Sequence, residues 1–327
     1  MMRAPSPGTL DLAVAIVTYG SREKVCLETL TRVAACRPAL IVLVCNGCSA
    51  EAMRSYFRKG VENGWPLVVI ERPTNGGSAI GFWRALQFLA TIEPNVLILD
   101  DDNWPEDGAI ELAFRTMTQS GTDGTAYLLY RPYNMLQSRY VAAGGDYAFH
   151  PARPGAFDYE DRFAPSWRTS PTRSDGLLVP NGPWSGLMLR ASLWPSLPRV
   201  RLSFETYKED VDFTQRLTAL GVELLLLTHC QILDADRAGL IVVDVRDGGV
   251  TTGDLRRAYL SARNGVVVDW ERCRSLTEAM SFACNGAIQF ARVGRGCVAR
   301  HDDRRMLARA HLRGYLAGVI RVLSRTL

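Results

Sequence analysis

The sequence predicts an α/β protein: a mostly parallel sheet with helices on both faces. Three observations predict it. Short apolar runs at residues 12–17, 40–44, 67–70 and 96–99 have the length and continuity of strands buried on both sides. Stretches of helical periodicity, 10–15 residues long, separate them, as in βαβ units. Hydrophobic residues make up 47% of the 327 and charged residues 22%, enough apolar surface for a large core in a globular chain.

The elements follow in order. The first strand, 12–17, ends at Thr18-Tyr19-Gly20, and Ser21 can cap a helix through Val25, Leu27, Leu30 and Val33. The second, 40–44, ends at Asn46-Gly47 and leads to a helix reaching about Lys59. The third, 67–70, precedes Asn75-Gly76-Gly77, which opens a helix through Ile80, Trp83, Leu86 and Leu89. The fourth is Val96-Leu-Ile-Leu, which runs straight into Asp100-Asp101-Asp102. Residues 126–130 read as another strand. Residues 131–180 have weak periodicity and many Tyr, Pro, Arg and Gly, the composition of a functional loop. A short apolar run, 187–189, follows. Residues 204–220 read as a helix, 222–227 as a strand, and the chain from 254 onward as helical.

Charge is unevenly spread. The net formal charge is +4, yet nine arginines against Asp302 and Asp303 give residues 292–327 a formal +7, leaving the body near −3. Eight cysteines include one Cys-x-x-Cys, Cys45 and Cys48, with no second pair at zinc spacing. Reduced, structural thiols and a cytoplasmic chain are expected. The N-terminus has no apolar segment of a secretory signal, and no apolar run approaches the roughly 18 residues that span a bilayer.

Several chemistries are excluded by spacing. Gly76 and Gly81 have P-loop spacing, but Phe82 stands where the lysine belongs. The first strand is not followed by G-x-G-x-x-G, and neither H-E-x-x-H nor G-x-S-x-G occurs. Two acidic clusters remain. Three consecutive carboxylates at a strand end repel one another unless something positive sits between them, and the carboxyl ends of strands are where open α/β sheets bind ligands. Asp100 and Asp102 can face one way on an extended segment while Asp101 points elsewhere. The competing explanation is a helix cap, with Asp102 or Asn103 at N-cap. The second cluster is Glu205-Thr-Tyr-Lys-Glu209-Asp210-Val-Asp212-Phe-Thr-Gln-Arg216. Asp212 and Arg216 suit a surface pair worth about 0.2–0.5 kcal/mol. Glu209 and Asp210 at a helix start can instead aim a carboxylate at a substrate hydroxyl.

The ordered set Val17-Thr-Tyr19, Asn46-Gly47, Asn75-Gly76-Gly77, Leu99-Asp-Asp-Asp102 and Glu209-Asp210-Val-Asp212-Phe with Arg216 resembles a family-2 glycosyltransferase over roughly residues 12–265. Arg257-Ala-Tyr259-Leu-Ser-Ala-Arg263-Asn264 is similar to the Y-x-x-R-N segment of its rhamnosyl- and galactofuranosyltransferase branch, with one residue more between Tyr259 and Arg263. The resemblance implies a Rossmann-like GT-A fold in residues 1–253, with a nucleotide-binding half (1–120) and an acceptor half (121–253), and a helical region over 254–327. It implies inversion at the anomeric carbon and transfer from a nucleoside-diphosphate sugar to a glycan or lipid-linked acceptor in cell-surface polysaccharide synthesis.

Residue by residue, the resemblance puts Thr18 and Tyr19 at the base and ribose, Asn46 near the base, and Asn75 and Gly76 near ribose and diphosphate. Asp100 and Asp102 flank Mg²⁺ or Mn²⁺, whose preference for carboxylate and phosphate oxygens suits them. Asp101 is carried as a further donor-site residue. Asp210 is the base and Glu209 positions the acceptor. Trp184, Gly186 and Arg263 are carried on the acceptor side, with core packing the alternative for Trp184. Two positions depart from the family pattern. Cys45 stands where Asp is usual, and a His metal ligand some two dozen residues past the base is replaced by Asp234, with Asp236 and His229 as alternatives.

Met306, Leu307, Ala310, Leu312, Leu316, Val319, Ile320 and Leu323 roughly follow helical spacing with arginines interleaved. They suit either a homo-oligomer contact or a peripheral helix on an anionic membrane surface. A sugar nucleotidyltransferase would want a Gly/Arg/Lys-rich loop after the first strand, which Thr18-Tyr-Gly-Ser21 does not supply. A non-catalytic sugar- or lipid-binding protein of the same fold has no need of both a metal site and a positioned base. No feature calls for nucleic acid.

Overall fold

The computed structural model describes residues 8–120, 123–142, 147–149, 163–165, 176–235, 252–271, 273, 275–296 and 302–326. In chain order the elements are β1 (Leu10–Gly20), α1 (Glu23–Ala35), β2 (Pro38–Cys48), α2 (Ala50–Glu62), β3 (Leu67–Arg72), α3 (Ser78–Leu89), β4 (Val96–Asp100), β5 (Asn103–Pro105), α4 (Ala109–Gln119), β6 (Thr125–Tyr130) and α5 (Met135–Ala142). They continue with β7 (Tyr147–Phe149), β8 (Phe163–Pro165), β9 (Leu177–Leu178), β10 (Leu187–Leu189), α6 (Glu209–Ala219), β11 (Glu223–Asp234), α7 (Thr252–Trp270), α8 (Leu276–Gly296) and α9 (Asp302–Thr326).

The chain divides into two compact units. The first comprises Met1–Asp146, Arg168–Leu202 and Phe213–Val243. It holds a sheet ordered β3-β2-β1-β4-β10-β6-β11-β5, with β9 also pairing β11. The β3/β2, β2/β1, β1/β4 and β6/β11 pairs are parallel, and β10 enters antiparallel between β4 and β6. This is the predicted mixed, mostly parallel α/β sheet flanked by helices. Both faces of β1 are buried: Leu12, Val14 and Ile16 point one way, Ala13, Ala15 and Val17 the other. That explains why its sequence is continuously apolar rather than alternating. The first set joins Cys26, Leu30 and Val33 of α1, Met53 and Tyr56 of α2, and Ile110 and Met117 of α4 in one core.

Three boundaries differ from the sequence expectation. The helix-cap explanation of the triplet fails, because Asn103 enters β5 and pairs with Asp234 of β11, while α4 starts six residues later behind Gly108. Ser21 does not cap α1; Arg22 occupies that position without a side-chain cap, its guanidinium being used elsewhere. Helix α6 begins at Glu209 rather than near 204, since Glu205, Tyr207 and Lys208 adopt left-handed backbone with φ of 63°, 64° and 70°. For an L-residue each such conformation costs roughly 1–2 kcal/mol.

The second unit comprises Tyr147–Trp167, Ser203–Asp212 and Asp244–Leu327. It contains the antiparallel β7/β8 pair and helices α7, α8 and α9. Gly314 of α9 lies against the Tyr259 carbonyl and Gly318 against that of Arg263, so α7 and α9 run in the same direction. A Cβ at Gly318 would stand 2.7 Å from that second carbonyl oxygen, so only glycine permits this approach.

Candidate functional site

In the first unit β3, β2, β1 and β4 are joined by parallel pairing, and the predicted donor-side residues stand at or just beyond their carboxyl ends. Thr18 is buried near the end of β1 and Tyr19 beside it is 46% exposed. Asp100 closes β4, its backbone N–H donating to Ser185 Oγ at 3.1 Å. The triplet then splits, because β4 ends at Asp100 and residues 101 and 102 form the turn that leads into β5. Asp100 is 40% exposed and Asp102 22%, while Asp101 turns inward and is almost fully buried.

What sits between the acids is arginine. Arg22 Nε donates to both oxygens of Asp101, at 3.0 and 2.9 Å, and its Nη2 donates to Asp102 Oδ2 at 2.6 Å. Thr18 Oγ1 donates to Asp101 Oδ2 at 2.6 Å, and Thr29 Oγ1 to the Asp101 carbonyl at 2.6 Å. Arg131, just past β6, donates from Nε at 2.9 Å and Nη2 at 2.6 Å to Asp234 Oδ1, and its Nη1 lies 3.9 Å from Asp100. Asn103 Nδ2 donates to the same Asp234 oxygen at 2.8 Å.

Burial and charge act against each other here. Desolvation pushes the Asp101 carboxyl up to about 6, against the charge and hydrogen bond of Arg22 and the hydroxyl of Thr18. Desolvation disfavours the charged guanidinium of Arg131 as well, but Asp234 and Asp100 overcome it and hold the group above its ordinary range. Arg22 is raised in the same way, with Asp101 the principal partner.

Four carboxylates, Asp100, Asp101, Asp102 and Asp234, face two guanidinium groups. Among the described residues no group of three or more His, Cys, Asp or Glu is arranged as a metal site. Asp100 and Asp102 fit a hard cation, being oxygen donors with partly open side chains. Asp234 Oδ1 is taken by Arg131 and Asn103. His229 is exposed on β11, and Asp236 lies outside the described residues.

A second polar cluster joins the ends of β2 and β3. Asn46 Nδ2 donates to Asn75 Oδ1 at 3.1 Å and to the Gly77 carbonyl at 2.8 Å. Its Oδ1 accepts from Arg72 Nη1 at 2.8 Å and from the Gly76 N–H at 3.3 Å. The predicted Asn46, Asn75 and Gly76 are thus brought together. Gly47, with φ of 78°, makes the approach possible, since a Cβ there would stand 2.5 Å from the Asn75 nitrogen. Cys45 is wholly buried in the core.

Trp184 is 2% exposed, its ring 5.2 Å from Phe82 and 4.5 Å from Phe213, centroid to centroid. Its surroundings are those of the core-packing alternative. Gly186 sits between the strands, its N–H donating to the Ile98 carbonyl at 2.8 Å and its carbonyl accepting from the Leu129 N–H at 2.9 Å.

In the second unit Glu209 and Asp210 open α6; Glu209 is buried, and Asp210 Oδ1 accepts from the Val211 N–H at 2.7 Å. Asp212 is 3% exposed, so it does not lie on a solvated face as a surface pair with Arg216 would require, and Arg216 donates to the Arg199 carbonyl at 2.7 Å. Arg263 Nη2 donates to the carbonyls of Ser203 at 2.8 Å and Phe204 at 3.2 Å, and its Nη1 lies 3.5 Å from Glu205.

Sequence reasoning missed Arg22, Arg72, Arg131 and Ser185. The available signal was position: Arg72 closes β3, and Arg22 and Arg131 follow the ends of β1 and β6 by two residues and one. Nothing in the spacing says which acid each one meets.

The profile of glycosyl transferase family 2 matches residues 13–192, more than half of the chain. No curated protein matches the sequence. Among solved structures, the crystal structure of GalNAc-T7 with UDP, GalNAc and Mn²⁺ aligns with a TM-score of 0.59 at 11% identity, covering 98% of this chain and 58% of that one. S. aureus TarS aligns at 0.45 and 15%, over 93% of this chain and 54% of that one, and TarS 1–349 in complex with UDP-GlcNAc at 0.44 and 14%, over 96% and 92%. The chain therefore spans little more than half the length of the first two. At such identities the GalNAc-T7 likeness speaks for a shared GT-A-like fold. With the family profile spanning β1 to β10 and every donor-side strand end up to the triplet, this chain belongs to glycosyltransferase family 2.

Proposed function

We propose that this chain is an inverting glycosyltransferase. It would move a sugar, rhamnose or galactofuranose by the Tyr259 and Arg263-Asn264 segment, from a nucleoside-diphosphate donor to a glycan or lipid-linked acceptor. The observation that carries the reading is the acidic cluster at the carboxyl ends of parallel strands, in which Asp100 and Asp102 keep partly open oxygen donors. Family membership supports it.

In this reading Thr18, Tyr19, Asn46, Asn75 and Gly76 hold the nucleoside and diphosphate, and Asp100 and Asp102 hold Mg²⁺ or Mn²⁺, with Asp234 as a third oxygen donor. When bound, the cation neutralises charge growing on the departing nucleoside diphosphate. Asp101 is locked by Thr18 and Arg22, and the same guanidinium holds Asp102 beside it. Asp210 accepts the proton of the attacking hydroxyl, and Glu209 orients the acceptor.

A peripheral position on an anionic membrane is part of the same proposal. Leu276, Met280 and Ile288 place an exposed apolar stripe on α8, and Leu316, Ile320 and Leu323 place another on α9, behind exposed Arg309 and Arg313. No helix among the described residues is long and apolar enough to cross a membrane.

The test is a donor screen. The full chain is incubated with Mg²⁺ or Mn²⁺ and a panel of nucleotide sugars, and donor binding and nucleotide release are measured. A metal-dependent donor is expected, and Asp210→Asn should bind it without transferring. Failure of the wild-type protein to bind any nucleotide sugar would sink the reading; full transfer by Asp210→Asn would remove Asp210 as the base.

A further inference from the structure

Directly before the two acids that open α6, the chain makes an unusual turn. Glu205, Tyr207 and Lys208, none of them glycine, all sit in the left-handed region. Such conformations persist only where surrounding structure over-determines them, and they cluster at functional sites. What over-determines this turn is one buried side chain on α7. The Asn264 amide nitrogen donates to the carbonyls of Phe204 at 2.9 Å, Thr206 at 3.0 Å and Tyr207 at 2.8 Å. The side-chain oxygen faces the other way and accepts from Arg263 Nε at 2.9 Å. Arg263 then adds its own bonds to the Ser203 and Phe204 carbonyls. Neighbouring side chains on α7 therefore grip the peptide groups of 203–207.

The consequence runs down the chain. The Asp212 N–H donates to the Lys208 carbonyl at 2.8 Å, so the left-handed Lys208 is also the residue that starts the α6 ladder. The direction in which Glu209 and Asp210 leave the helix is set by where that first turn begins. We infer that Asn264 is a positioning residue: it holds the strained 204–208 turn and thereby aims the carboxylates of Glu209 and Asp210. The inference rests on the transferase reading of those two acids, and it accounts chemically for an asparagine at this place. Its carboxamide nitrogen carries two N–H donors, which the three carbonyls share. An aspartate of the same shape would point a second oxygen at all three.

The experiment uses the full-length chain and the variants Asn264→Asp, Asn264→Ala, and Asn264→Ala combined with Lys208→Gly. Hydrogen exchange over 203–212 is expected to speed up in both single variants while the amides of β1 to β4 keep wild-type protection. Unchanged exchange over 203–212 overturns the hold on the turn. With the donor found by the screen, both single variants should keep donor affinity within about twofold and lose on the order of 100-fold in kcat, the scale of an ångström's misplacement. Glycine at 208, which adopts left-handed backbone without strain, should restore part of that loss. Parallel loss of donor affinity and kcat, or no recovery with glycine, overturns the positioning role. Faster exchange in the variants beside a wild-type protein that turns over no donor overturns the transferase reading instead, and leaves the hold on the turn standing.

Discussion

Arg131 and Asp234 form the most enclosed ion pair among the described residues, their side chains 14% and 4% exposed. Two guanidinium nitrogens donate to one carboxylate oxygen, and Asn103 donates to that same atom. Breaking such a pair from one side strands a buried charge. Arg131→Met should therefore lower unfolding free energy by about 3–5 kcal/mol in urea melts. Arg131→Met with Asp234→Leu should recover most of that loss. A single variant as stable as wild type would show that water or movement already relieves the pair.

Asp101 should titrate far from an ordinary aspartate in metal-free protein. Burial holds its folded-state pKa at about 6, above the roughly 3.9 of an unfolded chain. The folded state thus binds this proton more tightly. This group favours folding fully below about 4, and that contribution is lost as pH rises through 6. Carbon NMR of the side-chain carboxyls should show the midpoint near 6, and Arg22→Gln should move it higher, because Arg22 opposes the shift. A midpoint near 4 in both proteins would refute the assignment.

Gly47→Ala is expected to disturb two loops at once. It forces an alanine into φ near 78° and drives its Cβ toward the Asn75 nitrogen. The backbone term alone is about 1–3 kcal/mol. Weaker nucleotide binding should accompany it, since Asn46 and Asn75 separate. Thermal melts and nucleotide titration check the two effects; an unperturbed variant would mean that the loops tolerate separation.

The exposed stripe of α8 gives a membrane test that leaves the α7 and α9 packing intact. Met280→Glu with Ile288→Glu should reduce cosedimentation with vesicles rich in anionic lipid by roughly tenfold, given the transfer energy of two exposed side chains. Neutral vesicles should bind the wild type more weakly than anionic ones. Equal binding by variant and wild type in flotation would remove the membrane proposal.

By itself the sequence determined the sheet and the address of the candidate donor site. The continuous apolar runs of β1, β2 and β4 are strands with both faces covered, and Thr18, Asn46 and Asp100 lie at their carboxyl ends because the polar residues begin where each run stops. The inward side chain of Asp101 is not such a local property: β4 stops at Asp100, residues 101 and 102 turn, and Thr18 and Arg22 hold the carboxylate. Tertiary structure alone decided the partners. Arg22 and Asp101 are 79 positions apart and Arg131 and Asp234 are 103, and no periodicity encodes such pairings. It also decided the start of α6. Propensity places no break at 205–208, because left-handed backbone at three ordinary residues is unfavourable locally. It exists here because a buried asparagine 56 residues beyond Lys208 accommodates it.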